Sequence, residues 1–327
     1  LVQKNTLESL DDYITDAGIN LADFNGITDQ VTVDGSLYEL PFRSDYWLIY
    51  YNKDVFDAAG IAYPSNDMTM EDYDALARQL TDTTYGSQVY GCHYHTWRSA
   101  VELFGILDGK HSILDGNYDW MIPYYDMILS EEDDGVCQTY TDLSTEGLHY
   151  SAAFSNGNVA MMNMGSWFIS TLISNLDSGE YDSSLCGNWG IASYPHPDGA
   201  EAGSTIATIT GLAVTSASAN KDAAFDFVNW VSGTEGAKVM ASTGNFPAIM
   251  TDDVINTIAG MAGFPTDEGS KEALNITNAY LEVPYAENVS EINSILDTYH
   301  TSIMNREVTV EEGVASMNEQ VGKILNQ

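Results

Sequence analysis

Residues 41–61, PFRSDYWLIYYNKDVFDAAGI, set Phe42, Tyr46, Trp47, Tyr50, Tyr51 and Phe56 around a single Arg43-Ser44-Asp45 triplet. Flat aromatic faces beside a carboxylate and a guanidinium suit a neutral, hydroxyl-rich ligand, because sugars present apolar C–H faces bounded by a rim of hydroxyls. Asp45 can accept from two hydroxyls, and Arg43 can donate in a fork. Trp167 repeats the arrangement beside Gly165 and Ser166. Trp47 and Trp167 are therefore binding candidates, each adjoining polar groups that packing does not require. Trp189 and Trp230 follow strand and helix periodicity and are assigned to the core. Tyr94 and Trp97, in HYHTW, read as the lip of an aromatic pocket.

Other chemistries fit the sequence less well. Cys92, His93 and His95 offer thiolate and imidazole at metal-ligand spacing, but further ligands would have to come from elsewhere. The acidic run Glu131–Asp134 lacks the alternating oxygen spacing of a calcium loop and reads as a solvated charge run. GTEGAK (233–238) misses the spacing and the hydroxyl of a phosphate loop, and neither G-x-S-x-G nor H-E-x-x-H is present. Paired carboxylates for glycoside hydrolysis cannot be singled out among 48 Asp and Glu.

Those 48 acids stand against 11 Lys and Arg, a net charge of −37. Such a field repels nucleic acid, phosphorylated ligands and anionic lipid and favours a neutral or cationic partner. At 327 residues, 44% of them hydrophobic and 11% aromatic, the chain is globular and long enough for two lobes. Cys92, Cys137 and Cys186 form no C-x-x-C, and an odd count cannot close completely into disulfides. No run of 18 apolar residues occurs, and LVQKNTLESL at the start is not an export signal.

The elements that must position these residues alternate. LESLDDYI predicts a short amphipathic helix, and Trp47–Tyr51 a strand buried on both faces. NKDVFDAAGI follows as a helix closed by Gly60, and TMEDYDALARQL as a helix capped by Thr69 and Asp72. SQVYGCHYHTW reads as strand into loop, SAVELFGIL as helix, and residues 130–146 as an acidic, turn-rich excursion. LHYSAAFSNGNVAMMNMGSWFIS reads as helix, turn, buried strand and helix. NWGIASYPHPDG runs from a strand into the best linker candidate, and TIATITGLAVTS is a further strand. NKDAAFDFVNWVSG is a helix with Ala224, Phe225, Val228 and Val231 inward. The last helix starts from a Thr309–Glu312 capping box, with positions 310, 314, 317, 321 and 325 inward. This strand–helix alternation indicates an α/β layer architecture.

DGSLYELPFRSDYWLIYYNKDVFDAAGI, FSNGNVAMMNMGSWF, NWGIASYPHPDG with TGLAVTSASANKDAAFDFVNWVSGTEG, GNFPA and REVTVEEGVASMNEQV occur in one order over most of residues 34–327. In that order they resemble the family 1 extracellular solute-binding proteins of ABC importers, the maltose-binding-protein-like group. The resemblance implies two α/β lobes with a ligand clamped between them and a hinge crossed three times, within RSDYW, near SYPHP and after GNFPA. The lobes would be 1–45 with 196–250 and 46–195 with 251–327. Members of the group begin with a strand, a long helix and a second strand ahead of the counterpart of LVQKNTLESLDDYI, so an N-lobe without its usual first strands is expected.

By the same resemblance Asp45 binds hydroxyls at the cleft floor, Trp167 is a stacking platform and Tyr94 lines a wall. Thr210 and Gly211 then offer main-chain polar groups, and Tyr285 comes from the VPYAE loop. Arg43, Trp47, His95 and Asn245 join them on chemistry and proximity. The expected function is capture of an oligosaccharide and its delivery to permease subunits, by an extracellular monomer, cell-surface anchored or periplasmic, with no cofactor, metal or nucleic acid and a membrane link only through a lipid anchor. A carbohydrate-active hydrolase with paired carboxylates in the same cleft, and a metal-binding protein using His93 and His95, are the alternatives.

Overall fold

The computed structural model describes residues 1–24, 26–81 and 88–325; Ser87, which heads the SQVYG segment, lies outside them. Six strands are described: β1 Leu40–Asn52, β2 Tyr90–His93, β3 Val159–Gly165, β4 Trp189–Ser193, β5 Thr205–Leu212 and β6 Ala279–Leu281. They form a mixed sheet of order β2-β3-β1-β5-β6, with β4 also paired to β1. Helices surround it, so the chain is α/β, as the alternation requires.

The 13-residue strand β1 organises the molecule. Leu40–Tyr46 pairs antiparallel with β5, Tyr46 standing opposite Ala207. From Trp47 onward the strand has left β5 and pairs with β3, Trp47 opposite Gly165, while Leu48–Asn52 also pairs with β4. The exchange of partners falls between Tyr46 and Trp47. Near its start a register shift between Pro41 and Arg43 accommodates a proline, which has no N–H to give the ladder.

Helices whose signals are local match the sequence reading. Thr69 and Asp72 cap each other at the start of the Met70–Leu80 helix, and Thr309 and Glu312 do the same before Val310–Leu325. In that last helix Ile324 is buried and Leu325 exposed, so the inward stripe ends one residue earlier than its spacing suggested.

Two expectations are corrected. Residues 130–146 are not a solvated excursion: the Ile122–Asp133 helix runs into them and Tyr140–Glu146 forms another. Glu131 is fully buried, and the buried Glu132 accepts the Tyr140 N–H at 2.8 Å and Arg306 Nη2 at 3.3 Å. The helix carries Tyr125, Ile128, Leu129 and Glu132 on one face, so apolar periodicity overrides acidity there. Trp230, assigned to the core, is 55% exposed. Its helix, Lys221–Ser232, has two apolar stripes, and the sheet takes Phe225 and Val228 while Phe227 and Trp230 face outward.

Candidate functional site

The site is built where β1 changes partner. Asp45, the penultimate residue before the exchange, lies 2.6 Å from Arg43 Nε and accepts from Arg43 Nη2 at 3.1 Å. It also accepts the Ser166 hydroxyl at 3.0 Å, while Tyr46 N–H donates to that same oxygen at 3.2 Å. Ser166 precedes the Trp167–Ser178 helix but makes no side-chain cap to it; its hydroxyl is turned to Asp45. Burial raises the Asp45 pKa, and the Arg43 charge pulls it back.

One residue further along each chain, Trp47 and Trp167 meet edge to face, centroids 5.5 Å apart. Trp97 closes the group at 6.4 Å from Trp47 and 6.3 Å from Trp167. Trp167 Nε1 donates to the Tyr150 hydroxyl at 3.1 Å, and His95 packs against Trp97 at 4.6 Å and Tyr150 at 5.4 Å. Gly165 makes this possible, because a Cβ there would stand 2.0 Å from Cζ3 of Trp167.

The three indoles line a cavity of about 380 Å3 whose other wall carries Thr208, Glu282, Asn293 and Asp297. Glu282 accepts hydroxyls from Thr208, at 2.8 Å, and from Ser99, so it ties β5 to the Ser99–Ile106 helix. Arg98 is spent on Glu102, Asn293 and Asp297, leaving its charge neutralised within the wall. A second cavity of about 590 Å3 adjoins through Thr208, Glu282 and Val283 and reaches Tyr285. Its described lining has Glu282, Glu287 and Glu291 but no Lys or Arg.

Arg43, Asp45, Trp47, Trp167 and His95 are thus brought together. Thr210 pairs with Arg43 and Gly211 with Pro41 across the ladder, and Tyr285 donates to Glu39 at 2.8 Å beside Gly211, at the far end. Asn245 bonds within its own loop, to Thr243 Oγ1 at 2.9 Å. Tyr94 is corrected: it is 6% exposed and packs on Tyr73 and Phe104. Strand alternation continues past β2, so Tyr94 shares the face of Cys92 while His95 turns to the indoles. Thr208, Glu282, Asn293 and Tyr150 were missed: Thr208 and Glu282 are placed by long-range pairing, and nothing in the local sequence of the helical Asn293 and Tyr150 shows that they face the indoles.

His300 borders the smaller cavity and is fully buried, its Nδ1 3.1 Å from the Tyr125 hydroxyl. Burial first, then the Arg98 charge, pull its pKa down to about 3. The unfolded chain binds a proton at about 6.5 that the fold refuses, so this group's contribution is present above that pH and is lost as pH falls toward 3. In His300→Gln the loss of stability between pH 6 and 4 should be shallower by about 1.4 kcal/mol per pH unit. Urea titrations at stepped pH check this, and parallel acid limbs for the two proteins would count against a neutral buried His300.

An α/β fold built on one shared strand, with an aromatic floor and a polar wall whose Arg98 is paired, has the features of a solute-binding protein. The chain belongs to the bacterial extracellular solute-binding protein family, whose model matches residues 1–238. A sugar transporter from Rhizobium etli, crystallised in an open conformation, is 46% identical; the match covers 98% of this chain and 81% of that one, with TM-score 0.92. An ABC substrate-binding protein from Listeria monocytogenes in complex with cycloalternan is 22% identical, covering 99% and 81% with TM-score 0.81. The sugar-binding protein MalE from Xanthomonas citri is 19% identical, covering 100% and 80% with TM-score 0.75. The latter two share the fold. No curated protein sequence matches the chain. The family is one of substrate-binding proteins with an extracellular or periplasmic location, and no helix among the described residues is long and apolar enough to cross a membrane.

Proposed function

We propose that the protein is the non-enzymatic, substrate-binding component of an ABC sugar importer, taking up an oligosaccharide and delivering it to permease subunits. One observation carries the reading: Trp47, Trp97 and Trp167 form an aromatic floor opposite a wall bearing the hydroxyl of Thr208, the carboxylate of Glu282 and the amide of Asn293. Two adjoining cavities of about 380 and 590 Å3 favour an extended glycan over a single sugar. The sugar-binding relatives support this choice of ligand. Neutralisation of Arg98 and the surplus of acids favour an uncharged one.

The carboxylates nearest the indoles favour binding over hydrolysis. Asp45 is held by Arg43 and Ser166, Glu282 by Ser99 and Thr208, and Asp297 by Arg98, so none stands free as a general acid or base. The lobes would be 1–45 with 196–250 and 46–195 with 251–327. On this division the first crossing would be at the partner exchange of β1, while the pairing of β6, from the last segment, with β5 argues for counting 279–281 with the first lobe. A ligand touching both lobes favours their closure. The monomer works at the outer face of the membrane, attached through a lipid anchor.

The test is a thermal-shift screen against neutral manno-, xylo-, malto- and galacto-oligosaccharides, with uronic-acid oligomers as the charged comparison. A ligand that binds only the native state raises the melting temperature. Stabilisation by a neutral glycan without turnover is expected; release of reducing ends would establish the hydrolase instead. Gly165→Ala, which pushes the Trp167 ring off the floor, should weaken that glycan about tenfold in calorimetry, or about 1.4 kcal/mol. Unchanged affinity would remove the Trp167 ring from the contact surface.

A further inference from the structure

On the face of β2 turned away from the indoles, three potential ligand atoms converge. The thiols of Cys92 and Cys137 and a carboxylate oxygen of Glu131 all lie within 4.8 Å of one another, and all three residues are buried. Backbone geometry fixes them. Val136 N–H donates to the Glu131 carbonyl at 2.8 Å, and the Val136 carbonyl accepts the Cys92 N–H at 3.4 Å, tying the end of the Ile122–Asp133 helix to β2.

A second observation concerns Glu131. Neither of its carboxylate oxygens has a hydrogen-bond partner, although the residue has no exposed surface. The Tyr94 hydroxyl is close enough to interact with both Glu131 and Tyr73, but it makes no hydrogen bond of ordinary distance and angle to either. The guanidinium of Arg78 is committed elsewhere, to Asp74, Asp134 and Ser130. A buried acid without a partner is unfavourable unless it is neutralised or coordinates a cation. A Cys92–Cys137 disulfide would satisfy the sulfurs and leave the carboxylate as it is, whereas a cation satisfies all three groups.

We propose that Cys92, Cys137 and Glu131 bind one divalent ion of the zinc class, with the Tyr94 hydroxyl or a water as fourth ligand. Two sulfurs and an oxygen are the donor set that a borderline-soft tetrahedral ion selects over calcium or magnesium. Zn–S bonds of about 2.3 Å and Zn–O bonds of about 2.0–2.2 Å place tetrahedral ligand atoms roughly 3.4–3.8 Å apart, a short contraction from the present spacing. His93 and His95 are not part of this centre, because alternation turns them to the opposite face of the strand. The ion would clamp the strand that leads into His95, Trp97 and Arg98 onto the Ile122–Asp133 helix. The centre is therefore independent of which ligand the indoles take.

The test is metal binding by the purified full chain, stripped with chelator under thiol-protecting, oxygen-free conditions and titrated with Zn2+ or Co2+. One ion per chain is expected, with thiolate-to-cobalt charge-transfer absorption and a raised melting temperature. Cys137→Ser should abolish the absorption, Glu131→Gln should weaken binding at least tenfold, and Cys186→Ser should leave both unchanged. Glu131→Gln keeps the side-chain shape, so the result does not hang on the folding of the cysteine variant. Absence of the absorption in the wild-type chain, equal binding by Glu131→Gln, or a Cys92–Cys137 disulfide in protein recovered from its native compartment would each overturn the proposal.

Discussion

Trp167→Ala is expected to weaken glycan binding by about 1–3 kcal/mol, roughly 5- to 150-fold in Kd, while the protein stays folded. The indole does three things at once: it faces the cavity, packs edge to face on Trp47, and donates to the Tyr150 hydroxyl. Truncation therefore removes a platform and loosens a second one beside it. Trp167→Phe keeps a ring but loses the donor, and it should recover part of the affinity. Calorimetry on the three proteins, with melting temperatures alongside, separates the stacking loss from a general loss of structure. If alanine and wild type bind the same glycan equally, the aromatic floor is packing and nothing more.

Among alanine substitutions of the described glycines, Gly91→Ala should be the most damaging to the fold. A Cβ on Gly91 would lie 1.7 Å from the carbonyl oxygen of Ala77, which belongs to the backbone of the Met70–Leu80 helix and cannot rotate aside. Relief requires the helix to move off β2, opening the contacts of the buried Tyr73 and Ala77. Overpacking typically costs about 1–3 kcal/mol, and a clash with a main chain belongs at or above the top of that range. Set against a total stability of about 5–15 kcal/mol, this predicts a large drop in the urea midpoint or insoluble protein. Gly322→Ala is the control: beyond its own helix backbone and chain neighbours, an added methyl there comes within 4 Å of no atom of the described residues, and alanine is the better helix former. A Gly91→Ala protein as stable as the wild type would mean that this helix does not pack as described.

What could be read from the sequence divides along physical lines. Asp45, Trp47 and Trp167 were legible because each joins an aromatic ring to polar neighbours within a few residues, and the sheet then brings the two stretches together through Ser166. Capped helices were legible for the same reason: Thr69 with Asp72, and Thr309 with Glu312, are contacts made three residues apart. Thr208 and Glu282 were not, since their meeting depends on a parallel pairing between segments more than 70 residues apart. Tyr94 was misread because a ring next to a histidine says nothing about which face of a strand it occupies. Trp230 failed where a helix offered two apolar stripes and only the sheet decided between them. Glu131 failed because acidity was weighed above the spacing of Tyr125, Ile128 and Leu129.

The exchange of ladders between Tyr46 and Trp47 has a mechanical result. A lever moves least at its fulcrum, and Asp45 and Trp47 straddle that peptide bond. Any swing of one set of strands against the other leaves these two side chains nearly stationary while sweeping the outlying loops through wide arcs. On the proposed reading, the ligand would be gripped near a still point while the rim travels around it.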